Sequence, residues 1–102
     1  MEKIKYTASK FYETPHGNIE YMREVIIEVL SSWICVSATD YTKFKGIIVD
    51  AKSIVHGEGY KKFEKAKRRA LSLLNKLITE KTFEGDLCLL SFPENITKKE
   101  GD

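Results

Sequence analysis

The chain has 102 residues and a formal net charge of +2, and 42% of its residues are hydrophobic and 31% charged. This length allows one domain with a core of ordinary size, and the composition excludes a disordered chain. No apolar run reaches the roughly 18 residues that a membrane helix needs, and the first ten residues lack the apolar stretch of a secretory signal. We therefore expect a cytoplasmic protein with no membrane contact.

The N-terminal region predicts a strand followed by a turn. Residues 3–12 alternate, with Ile4, Tyr6 and Ala8 on one face and lysines between them. Phe11 breaks this alternation, as a β-bulge would. Residues 13–18 combine proline, glycine and asparagine and predict a turn.

Residues 19–33 fit two structures. As a helix, one face would carry the apolar residues Ile19, Met22, Ile26, Val29, Leu30 and Trp33. As a strand, the segment would separate Tyr21, Val25, Ile27 and Val29 from Glu20, Glu24 and Glu28. Because a spacing of four satisfies both periods, the glutamates do not decide. The β-branched residues favour a strand, while Glu, Met and Leu favour a helix. We favour the helix, and the strand stays open.

The middle of the chain predicts a hairpin and then a glycine-containing loop. Residues 34–39 and 43–49 are expected to be its strands, with a turn at 40–42. Residues 56–60, HGEGY, are expected to form a loop that leads into a helix. Near the C-terminus, residues 87–92 predict a buried strand that Pro93 ends. Cys35 and Cys88 lie in apolar runs without zinc-ligand spacing and are expected to be reduced core residues.

Residues 60–78 are the clearest helix. Steps of 100° place one group of side chains on an apolar arc: Phe63, Ala66, Ala70, Leu73, Leu74, Leu77 and Ile78. The other side carries Lys61, Lys62, Lys65, Arg68, Arg69 and Lys76. Lys67 projects near Leu74, so it must reach the edge of the apolar face or the helix must be rotated.

These elements predict a single α+β domain over residues 1–92 with a polar tail at 93–102. The expected fold is an antiparallel sheet of about four strands with helices on one face, in the ferredoxin-like order β-α-β-β-α-β. The alternative is a set of β-hairpins with one long helix. That alternative follows if residues 19–33 form a strand.

Charge is concentrated in the helical segment. Residues 60–78 carry a net charge of +6, whereas residues 1–59 carry −1 and residues 79–102 carry −3. A concentrated basic face can bind phosphates by releasing counterions. The acidic C-terminal segment could instead cover it.

Two resemblances to nucleic-acid-binding families follow from these residues. The stretch GEGYKKFEKAKRRAL resembles the loop and second helix of double-stranded-RNA-binding domains, which implies phosphate contacts by Lys61 and Lys62. Asp40 to Thr42 is too short to match that family's minor-groove loop. The element order and Lys45-Gly46 resemble an RNA-recognition motif. The bases that this family stacks on strand aromatics would meet Ile47, Ile48 and Val49 here.

We expect a small nucleic-acid-binding domain that is not an enzyme. Lys61, Lys62, Lys65, Arg68 and Arg69 would contact phosphates, with the amides near Gly59 assisting. No hydrolase or zinc motif occurs, so no catalytic site, metal or cofactor is expected, and a Cys35–His56 pair would need direct contact. The alternative is a protein-interaction module, a regulator or inhibitor, that binds an acidic protein surface or forms a homodimer through a sheet edge.

Overall fold

A four-stranded meander followed by one helix makes up most of the described chain. The computed structural model describes residues 2–79, 88–91 and 100–101. Its elements are β1 (Glu2–Thr14), β2 (Gly17–Val29), β3 (Ile34–Phe44), β4 (Ile47–Tyr60), α1 (Phe63–Thr79), β5 (Cys88–Ser91) and β6 (Glu100–Gly101). All paired strands are antiparallel, and the sheet order is β4-β3-β2-β1-β5, with β6 also paired to β1.

This order overturns the favoured fold. The long strands and the helix follow one another as β-β-β-β-α, so the ferredoxin-like order is wrong and the alternative of hairpins with one long helix fits. The resemblance to an RNA-recognition motif depended partly on the rejected order. The difference comes from one segment, residues 19–33, which supplies a strand where a helix was expected.

Strand β2 is central in the sheet and is paired along its length. It pairs with β1 from Gly17 to Val29 and with β3 from Ile19 to Val29. Val25 and Ile27 have no exposed surface, and the glutamates lie on the opposite face. A helix would bury only one stripe of this segment, whereas a central strand satisfies its backbone on both sides and buries its β-branched residues. Trp33 lies outside the strand and is 47% exposed.

The structure contradicts two predicted irregularities, the bulge at Phe11 and the turn at residues 40–42. Strand β1 pairs with β2 without any register shift, so Phe11 is not a bulge. The alternation continues through the buried Lys10 and Tyr12, and a lysine on the inner face made it look broken. Residues 40–42 are not a turn, because β3 continues to Phe44 and reverses at Lys45 and Gly46.

The irregular strand is β4, which holds three residues more than its partner segment in β3. The register shifts place the extra residues at Val49, at Ile54 and in the pair His56–Gly57 opposite Ser37. Gly57 has a φ of +65° and donates its backbone N–H to Ser37 Oγ at 3.1 Å. The expected loop at residues 56–60 is therefore part of β4, and the glycine permits a bulge within a strand.

Helix α1 packs on one face of the sheet, called the inner face here. Its buried residues are Ala66, Ala70, Leu73, Leu74 and Leu77, and Phe63 and Ile78 pack against them. The predicted apolar arc of the helix is confirmed. The sheet contributes Ile4, Tyr6, Ala8, Val25, Ile27, Ile34, Val36, Ala38 and Val55. The strands extend roughly 40 Å and the helix about 25 Å, so the far end of the sheet projects beyond the helix.

Some expectations fall mainly outside the described residues. Pro93, the boundary at residue 92 and most of the expected tail at 93–102 are among them, as is any covering of α1 by the acidic segment. Two residues of that tail, Glu100 and Gly101, pair with Ile4 and Lys3 of β1. The expected strand at 87–92 corresponds to β5, which pairs with residues 9–12 of β1.

Candidate nucleic-acid interface

The helix and the two residues before it present a cationic surface. We define the basic helix surface as five exposed residues: Lys61, Lys62, Lys65, Arg68 and Lys76. At 100° per residue, Lys65, Arg68 and Lys76 project away from the buried Ala70. Long side chains in this position can reach a polyanion without uncovering the core. Four of the predicted phosphate contacts therefore lie together on an open surface.

Arg69, a further predicted contact, lies on the flank of the helix next to β4. Its Nε donates to Glu58 Oε1 at 2.8 Å, and its Nη2 lies 3.5 Å from Glu58 Oε2. The Tyr60 hydroxyl donates to the same carboxylate. This ion pair partly neutralises Arg69 and fixes its direction toward the sheet. Arg69 consequently ties α1 to β4 and is less available to a phosphate than its exposed neighbours.

The contacts among Glu58, Tyr60 and Arg69 also shift the pKa values of Glu58 and Tyr60. Hydrogen bonds from Tyr60 and Arg69 hold the pKa of the Glu58 carboxyl below its usual range. The hydrogen bond to Glu58 raises the pKa of the Tyr60 hydroxyl. Glu58 therefore stays ionised at neutral pH and keeps Arg69 paired.

Gly59 serves packing in this structure. It pairs with Cys35 within β4 and lies four positions before the first residue of α1. A Cβ atom at Gly59 would lie 2.9 Å from Cε3 and Cζ3 of Trp33. The absence of a side chain lets the indole lie directly on the strand. The amides near Gly59 were expected to assist phosphate binding from the start of the helix, but Gly59 lies in β4 instead.

Lys67 is exposed and does not enter the core. Its position on the flank of α1, near Leu74, is the one expected from the helical angles. Two alternatives were expected for Lys67, a side chain that reaches the edge of the apolar face or a rotated helix. Its exposure fits the first alternative. The rotation of the helix is accordingly the predicted one.

A largely buried charged contact between β2, β3 and α1 was not predicted. Arg23 on β2 donates to both carboxylate oxygens of Asp40 on β3, at 2.7 and 2.8 Å, and its Nη1 donates to the carbonyl oxygen of Leu73 in α1 at 2.9 Å. The Arg23 side chain is only 8% exposed. These groups border an open cleft of about 230 Å³ that Tyr21, Asp50 and Lys52 also line. The only signal for this contact in the sequence was a basic residue at a position of β2 that faces the helix.

The outer edge of β4 carries apolar side chains in solvent. Ile47, Ile48 and Val49 are 68%, 52% and 60% exposed. They follow the turn at Lys45 and Gly46, at the end of the sheet that projects beyond the helix. The sequence assigned these residues to a strand but did not show that the strand lies at an edge.

The residues considered for enzyme chemistry lie in the β1–β2 turn and on the paired strands β3 and β4. His16 is exposed in the turn between β1 and β2, and His56 Nδ1 lies 3.0 Å from Ser53 Oγ in β4. Cys35 is a free thiol in β3. Among residues 2–79, whose side chains are described, no group of three or more His, Cys, Asp or Glu side chains could hold a metal ion.

Comparison with known proteins identifies no relative: no family model, curated protein or solved structure matches the chain. In the part of the chain that the structure describes, no helix has both the length and the apolar character needed to cross a bilayer. The function is therefore inferred from the geometry of the basic helix surface and of the β4 edge, the exposed residues 47–53.

Proposed function

We propose that the protein binds nucleic acid through the basic helix surface, without catalysing a reaction. The observation that carries the proposal is the exposure of Lys61, Lys62, Lys65 and Arg68 beside one another on α1 and the residues that precede it. Glu64 is the only acidic residue between Lys61 and Arg68. Like-charged neighbours destabilise a helix slightly, and phosphates remove that repulsion. A cytoplasmic location belongs to the proposal, since the free Cys35 thiol suits a reducing compartment.

The contacts available on this surface favour phosphates over base edges. Lysine ammonium groups and an arginine guanidinium bind phosphate oxygens, and such contacts position a protein without reading sequence. No aromatic side chain belongs to the basic helix surface, so stacking on bases does not contribute there. Binding should therefore be general for sequence and strongly dependent on salt.

The test compares two charge-reversed variants by fluorescence anisotropy with a labelled single strand and the matching duplex. Lys65→Glu plus Arg68→Glu removes two proposed phosphate contacts. The control, Lys3→Glu plus Lys45→Glu, makes the same change in net charge away from α1, on β1 and at the β3–β4 turn. We expect the first variant to reduce the slope of log K against log salt by about 1.8 on duplex and about 1.4 on single strands. The control variant should lose less affinity and keep more of the slope.

Three results would overturn the proposal. One is the absence of binding to both nucleic acids at about 50 mM salt, where phosphate contacts are strong. Another is an equal loss of affinity in the two folded variants. The third is equally tight binding to poly-glutamate, which would assign the surface to an acidic protein partner. Circular dichroism of each variant establishes that the fold is retained.

A further inference from the structure

The outer edge of β4 is open along half of its length. Strand β4 pairs with β3 on one side, and no described strand pairs with it on the other. All seven residues from 47 to 53 are exposed. An edge strand offers unpaired backbone N–H and C=O groups to another strand, and the apolar residues Ile47, Ile48 and Val49 add surface that gains from being covered.

A short regular segment lies within this edge. Between the extra residues at Val49 and Ile54, residues 50–53 pair with β3 without interruption. Asp50 is opposite Thr42 and Lys52 is opposite Asp40, so both charged residues point to the inner face. Ala51 lies between them on the outer face. The edge therefore presents an acid and a base two positions apart on one face.

We propose that two copies of this chain pair through β4, antiparallel and centred on Ala51. In this register Asp50 lies opposite Lys52 of the second copy, and Lys52 lies opposite Asp50 of the second copy. Residues directly opposite in an antiparallel pair share a face with Cβ atoms about 5 Å apart, so both pairs are attractive. Ile47 and Ile48 then approach Val55 and Ile54 of the second copy.

The charge pattern favours a second copy and selects the register. Moving the centre to Asp50 places this aspartate opposite itself, and moving it to Lys52 places this lysine opposite itself. Both shifts bring like charges together, which destabilises a strand pair. Four registers keep the two helices on one face and are centred on a residue of this segment, at 50, 51, 52 or 53. Only the register centred on Ala51 places Asp50 opposite Lys52. The pairing is independent of the proposed binding of nucleic acid.

Sedimentation equilibrium of charge variants tests the pairing. We expect the wild-type chain to dimerise, and Asp50→Lys or Lys52→Asp to raise the dimer dissociation constant at least about tenfold, because each places two like-charged pairs across the axis. The double variant Asp50→Lys plus Lys52→Asp exchanges the charges and should recover the dimer. Lys3→Asp on β1 repeats the charge change of Lys52→Asp away from β4 and should leave the dimer intact.

A cysteine pair measures the register directly. In a chain with Cys35→Ser and Cys88→Ser, Ala51→Cys places two thiols at the axis and should give a disulfide-linked dimer under mild oxidation. Ser53→Cys lies on the same face but about 13 Å from its counterpart along the strands, and it should not cross-link.

The possible results separate pairing, register and charge. A monomeric wild-type chain throughout the concentration series overturns the proposal. A dimer that neither single charge variant weakens shows an interface elsewhere, and cross-linking through Ser53→Cys alone shows another register. Failure of the double variant to recover the dimer while it remains folded contradicts the charge complementarity. Loss of nucleic-acid binding with an intact dimer would bear only on the basic helix surface.

Discussion

Arg23 joins three elements with one side chain. It holds the Asp40 carboxylate in β3 and the Leu73 carbonyl in α1, and its own backbone is paired in β2. A buried guanidinium needs such partners because removing it from water is costly. In residues 2–79, no buried side-chain nitrogen or oxygen lacks a hydrogen-bond partner. The arginine therefore aligns the helix over the sheet.

Replacing Arg23 tests this role. Arg23→Met removes the guanidinium while keeping an unbranched side chain, and it leaves Asp40 without its bidentate partner. We expect the free energy of unfolding to fall by about 2–3 kcal/mol, as for a charged hydrogen-bonded group in a partly buried pair. Lys5→Met is the control, because the Lys5–Glu24 pair at 3.0 Å is more exposed and should contribute less than about 1 kcal/mol. Urea unfolding measures both, and equal losses would contradict the assigned role of Arg23.

Glu58 gives the protein a dependence on acid. Since its pKa is lowered in the folded state, the ionised carboxylate stabilises the fold above the usual glutamate pKa, about 4.5, and this contribution is lost as the pH falls through the lowered value. Glu58→Gln should therefore reduce stability near neutral pH, and its deficit should shrink toward about pH 3. Urea unfolding at the two pH values measures the difference. A deficit that grows in acid would contradict the assigned sign.

At the scale of elements, sequence and structure agree on α1 and disagree on β2. The apolar arc of α1 could be predicted because helical spacing brings its members together without help from other segments. Residues 19–33 could not be assigned in this way, since their pattern satisfies both periods and the outcome depends on pairing with β1 and β3. The bulges of β4 and the burial of Lys10 also depend on contacts with other segments, so the local pattern did not predict them.

The candidate site shows the same limit. The exposure of Lys65 and Arg68 follows from helical angles alone, and Lys61 and Lys62 are exposed in the two residues before α1. Four of the five predicted side-chain contacts therefore lie on one open surface. Arg69 differs because Glu58 comes from β4, eleven positions earlier, and only the folded sheet brings the two within 2.8 Å. Gly59 differs because its neighbour is Trp33, which reaches it through the pairing of β3 with β4.

The β3–β4 turn provides a test at this scale. Lys45 and Gly46 have φ values of +52° and +79°, as in the two-residue turns that suit twisted hairpins. A Cβ at Gly46 would meet no atom within 4 Å, so Gly46→Ala isolates the backbone conformation. It should lower the free energy of unfolding by about 1 kcal/mol.

Lys45→Asn is the opposite change in the same turn. It creates the favoured Asn-Gly pair and should stabilise the hairpin. Thermal unfolding of both variants measures the two effects. Equal stability of Gly46→Ala and the wild type would contradict the turn geometry.

For the whole molecule, the basic helix surface and the β4 edge occupy separate elements. The proposed pairing about Ala51 keeps both helices on one face of a continuous sheet. Two basic helix surfaces would then face the same side, and one nucleic acid could contact both. Linked contacts of this kind raise the apparent affinity without new chemistry. The two proposals are thus independent in their tests and compatible in their geometry.

The position of β4 in the sheet also bears on the size of any assembly. An isologous contact uses the same edge of both molecules, so it leaves neither with that edge to offer and ends at two chains. On the other side of the sheet, β5 and β6 occupy both ends of β1. The bulges at Val49 and Ile54 further shorten the flat stretch that could template fibre growth. A chain with an exposed Ile-Ile-Val edge can in this way form a finite complex instead of a polymer.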